Sequence, residues 1–121
     1  MTAPSLPAAL RAGAAGLYAL EAATGLIIAH ATWLTRDDFT CFIAHGTETA
    51  AIDWEAAVAA LEAGCLPSSG GERRTLCLAA SLAGQAPVTL GDAITGLNDR
   101  NVGLMVKAIL HASGERQFPA C

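Results

Sequence analysis

Pro67-Ser68-Ser69-Gly70-Gly71-Glu72-Arg73-Arg74-Thr75-Leu76-Cys77-Leu78-Ala79-Ala80-Ser81-Leu82-Ala83-Gly84 contains a whole helix together with both of its ends. Pro67 to Gly71 is the clearest connector in the chain, because proline, serine and paired glycines favour turn conformations. Ser69 and Glu72 are spaced as a capping box, in which each side chain satisfies a backbone N–H at the helix start. Gly84, with Pro87 beyond it, stops the helix. The segment between is apolar nearly all round from Leu76 to Ala83, which predicts a central helix over about 70–83.

Upstream the same punctuation recurs. Asp53 caps a helix in which Trp54, Val58 and Leu61 face inward and Glu55 and Glu62 outward, with Gly64 ending it. Thr35 and Asp38, flanked by Leu34 and Phe39 as a hydrophobic staple, predict a short helix to about residue 45. Residues 46–52 read as a loop. Leu10, Leu17, Leu20, Ile27 and Leu34 recur at helical spacing, with Gly13, Thr24 and Ala31 between them. That pattern predicts one long first helix over 7–33, ~39 Å if unbroken, with Gly25 as its bend.

Downstream, Thr89 and Asp92 open a short helix to about residue 95. Asn98 caps a final helix that Gly114 ends, and Val102, Met105, Val106, Ile109 and Leu110 form its expected core face. No alternating β pattern of useful length occurs, beyond at most a short ribbon after the last helix. The fold expected is therefore all-α: a compact bundle of five to six helices with a long N-terminal helix. One domain spans 1–114, and 115–121 form a loose tail. Leu17, Leu20, Ile27, Trp54, Val58, Leu61, Leu76, Ala79, Val102, Val106 and Ile109 are expected in the core.

Of 121 residues, 53% are hydrophobic and only 15% charged, well below the roughly 25% charged of typical domains. A surface of that composition leaves apolar area to spare and favours self-association. The net charge of −4 argues against binding that relies on a broad basic field. Cys41, Cys65, Cys77 and Cys121 are too scattered for a disulfide framework, so a reducing, cytoplasmic home is expected. Residues 12–34 are apolar, but a signal peptide is disfavoured by Pro4, Pro7 and a single preceding charge, Arg11. A membrane span is disfavoured by Glu21, since an acid at mid-bilayer costs about 2.5–3.5 kcal/mol.

Few residues carry chemistry. Cys41 and His45 would share a helical face, but His30, Cys65, Cys77 and His111 add no ligand pair at metal spacing, so no metal or cofactor is expected. Asp37 and Asp38 point in different directions and read as acids complementing a helix dipole. Ser68 to Gly71, with Arg73 and Arg74, approaches a phosphate cradle, yet Glu72 sits in the same turn and no strand or P-loop motif precedes it. No catalytic site is expected, and the chain reads as a non-enzyme.

Residues 72–114 resemble the three-helix core of helix-turn-helix and winged-helix proteins, on Asp92-Ala93-Ile94, Gly96-Leu97 and Val102. The resemblance implies a last helix, about 99–113, that enters the DNA major groove and presents Arg100, Asn101, Lys107 and His111. Two certain cations beside Asp99 make a poor phosphate surface, however. The leading expectation is a non-catalytic helical protein acting through protein contacts. It would form a homo-oligomer through its first helix, where Ala9, Gly13 and Gly16 permit close approach. A small DNA-binding regulator is the alternative.

Overall fold

Helix α1 (Leu6–Ala14) starts where Ser5 Oγ accepts the Ala8 N–H and Pro7 fixes the first turn. The computed structural model of the chain describes residues 4–114. The helix does not continue to residue 33. Gly16 lies at φ +95°, a left-handed conformation that only glycine adopts without strain, and the chain restarts as α2 (Tyr18–His30). Glu21 holds the break, its Oε2 accepting the Gly16 N–H at 2.9 Å. Gly25, expected as the bend, sits inside uninterrupted helix. A 3-10 turn (Trp33–Thr35) follows.

The second correction lies at 41–52. Helix α3 (Asp37–Thr40) is a single turn, and the chain then forms an antiparallel hairpin of β1 (Ile43–His45) and β2 (Ala50–Ile52), registered Ile43 to Ile52 and His45 to Ala50. Each strand has three residues, too few for alternation to show in sequence. Ile43 and Ile52 face the core together. The fold is thus mostly helical with a small two-stranded sheet, rather than purely α.

The remaining helices follow their caps. Asp53 Oδ1 accepts the Ala56 N–H at the start of α4 (Trp54–Glu62). Ser69 and Glu72 form both bonds of the capping box that opens α5 (Gly70–Leu82). Thr89 precedes α6 (Leu90–Ile94) without a side-chain bond. Asn98 Oδ1 accepts the Asn101 N–H at 2.8 Å and opens α7 (Asp99–Ala112).

The core forms around α2 and α5. Trp33, Phe39, Leu10, Ile27 and Leu76 are its largest wholly buried apolar side chains. The rings of Trp33 and Phe39 pack 5.3 Å apart, and Trp33 Nε1 donates to the Glu72 carbonyl, tying the 3-10 turn to α5. The Arg36 guanidinium covers the outer side of the Trp33 ring at 4.6 Å. Helix α7 lies antiparallel to α2: Arg100 reaches Ala29 at one end and His111 reaches Glu21 at the other.

Four expected core residues lie outside. Leu17 is 63% exposed because it sits in the α1–α2 break. Val102, Val106 and Ile109 are exposed because α7 turns Asn101, Met105 and Ala108 inward instead. The facing side of α2 is rich in alanine, and such close helix approach selects the small Ala108 over the branched residues. Among the described residues no helix is long and apolar enough to cross a membrane.

Candidate functional site

The four residues expected to read DNA do not share one free face. Arg100 Nη2 donates to the Ala29 carbonyl at 3.0 Å, satisfying the C-terminal end of α2. Asn101 is buried, with its amide close to Gly71. His111 Nε2 lies 2.7 Å from Glu21 Oε1, and its ring meets Tyr18 edge-on. Lys107 alone of the four is an exposed side chain with no hydrogen bond or ion pair among the described residues.

The small residues expected to mediate association are used within the chain. Ala9 is buried, and a Cβ at Gly13 would overlap the Ala50 carbonyl oxygen, so this side of α1 is the seat of β2. Gly16 belongs to the break.

The other sequence candidates are also placed. Cys41 and His45 share no helical face, since His45 is in β1; the Cys41 thiol donates to the Asp38 carbonyl. No group of three or more His, Cys, Asp or Glu side chains among the described residues could hold a metal ion. The anion cradle at the start of α5 is filled by the chain's own Glu72, whose carboxylate accepts the Ser69 N–H at 2.7 Å and is thereby held below its usual pKa. Cys77 is half-buried, which pushes its thiol pKa up and makes it a poor nucleophile. Cys121 lies outside the described residues. His30 is buried, and its Nδ1 has no partner among the described residues. Burial, and then the charge of Arg100, hold its pKa low.

What the sequence did not mark is that α6 and α7 each carry exposed large apolar residues. Leu90 and Ile94 on α6, and Val102, Val106 and Ile109 on α7, are each between 41% and 53% exposed. Steps of four and three residues align Val102, Val106 and Ile109 in one stripe. One sign was available: between 102 and 110 α7 has more large apolar residues than a single buried face can take. Patches of this kind on a small domain mark contact surfaces. No known protein family, curated protein or solved structure matches this chain.

Proposed function

We propose that the chain is a non-catalytic helical module that acts through protein contacts, with a second copy of itself docking on the exposed stripe of α7. The observation that carries this reading is the exposed stripe of Val102, Val106 and Ile109. The stripe suits self-pairing. Around a two-fold axis near Val106, antiparallel α7 helices set Val102 of one copy against Ile109 of the other, which is the reciprocity a two-fold interface requires.

Magnitudes place the dimer among weak, reversible ones. Full burial of such side chains contributes about 1.5–3 kcal/mol each. These three are already about half buried, so each would gain about 1 kcal/mol, and two copies on the order of 6 kcal/mol. Lost translational and rotational freedom costs about 4–15 kcal/mol. Association should thus depend visibly on concentration.

Size-exclusion chromatography with light scattering, repeated with generic duplex DNA at low salt, tests the reading. The expected result is a mass that rises towards the dimer with concentration and a duplex that elutes alone. Co-elution with the duplex that weakens steeply with salt would instead favour a nucleic-acid partner.

A further inference from the structure

The antiparallel pair α2–α7, together with the end of α1, encloses a cleft of about 350 Å³ on the opposite side of α7 from the apolar stripe. Its walls come from Ala22, Leu26, Leu104 and Ala108. Its rim bears Arg11 and Lys107, as well as the Glu21–His111 pair. Arg11 and Lys107 form no ion pair or side-chain hydrogen bond among the described residues. Glu21, by contrast, is engaged by the Gly16 N–H and by His111. Among the described residues, two unpaired cations against one engaged carboxylate give the rim a positive balance.

Gly25 gives an independent indication that the cleft is kept open. A glycine inside a helix weakens it relative to alanine. Here neither of the usual reasons applies: the backbone at Gly25 is not left-handed, and an added Cβ would meet nothing within 4 Å. Its missing side chain leaves room in the cleft, which Gly25 lines.

We propose that this cleft binds a small amphipathic monocarboxylate, its apolar body lying over Gly25 and Ala108 and its carboxylate between Arg11 and Lys107. The size is at the lower end of ordinary ligand sites, which run about 300–1,000 Å³, and apolar walls with a few convergent polar groups are their usual make-up. Charge decides the sign of the ligand: an amine would face a guanidinium and an ammonium, and an alcohol would leave both cations without a counter-ion. A carboxylate gains charge-assisted hydrogen bonds from each.

Isothermal titration calorimetry with sodium octanoate, octan-1-ol and octylamine on the full chain tests the site. Octanoate is expected to bind saturably, one per chain, and to be preferred over both analogues. The double variant Arg11→Gln/Lys107→Gln, which alters two exposed side chains, should weaken octanoate at least about tenfold, as loss of a charged hydrogen bond does. Gly25→Leu should remove binding while its circular dichroism stays that of the parent. Val106→Asp, on the other side of α7, should leave it unchanged. Absence of saturable octanoate binding would overturn the proposal. So would equal binding of octanol, unchanged binding in the double variant, or loss of binding in Val106→Asp.

Discussion

His30 shows how one residue records the pH at which this fold is comfortable. Its imidazole is buried, its Nδ1 unpartnered among the described residues, and its pKa held below 6.5 by burial and then by Arg100, with Glu72 opposing weakly. The unfolded chain therefore takes up the proton first as pH falls through about 6.5, and protonation favours unfolding. Stability from this group is full above that pH and is lost as pH falls towards the folded pKa. Glu72 and Asp38, both with lowered pKa, act in the same direction only near and below their ordinary values of 4.5 and 3.8. Thermal melts from pH 7.5 to about 5 should show a falling Tm, and His30→Gln should flatten that fall; equal slopes in the two proteins would contradict this role. The glycines separate in the same residue-by-residue way. Gly25→Ala should stabilise by about 0.5–1 kcal/mol, because its Cβ meets open space. Gly13→Ala should destabilise by about 1–3 kcal/mol, because its Cβ meets the Ala50 backbone. Urea titrations of the two variants compare them directly.

At the scale of elements, what the sequence made legible was local and what it hid was not. The starts of α4, α5 and α7 were readable because Asp53, Ser69 with Glu72, and Asn98 act on N–H groups three residues away. Ser69→Ala should accordingly cost about 0.5–2 kcal/mol, measured by denaturant unfolding, with no change in the stoichiometry of association. The hairpin at 43–52 was hidden because each strand is three residues long and is fixed by pairing and by α1 resting on β2. The first helix was misread as continuous because its apolar spacing survives across Ala15–Leu17, while the Gly16 backbone and the Glu21 carboxylate impose a break. Helix α7 was read with the wrong face inward for a related reason. It is apolar around much of its circumference, and the approach of α2 and α5 selects Met105 and Ala108 over Val102 and Val106. Of the candidate site, Lys107 and His111 were visible as exposed polar residues. The stripe on the opposite side of α7 was visible as composition but was assigned to the core.

At the scale of the whole molecule, the surplus of apolar residues has two destinations. Part fills a core that joins residues on both sides of the 65–71 connector, from Leu10 and Trp33 to Leu76 and Met105. The rest stays exposed, in the α7 stripe, at Leu90 and Ile94 on α6, and at Leu17 and Tyr18 beside the α1–α2 break. A charge placed in that stripe should leave the fold intact, since the side chain already reaches water, and should act on association alone. Sedimentation velocity of the parent chain and of Val106→Asp, each over a wide concentration range, reads this directly. A monomer–dimer equilibrium in the parent that is lost in Val106→Asp, with the melting temperature retained, is the expected result. A parent that stays monomeric throughout, or a dimer that persists unchanged in Val106→Asp, would contradict the account.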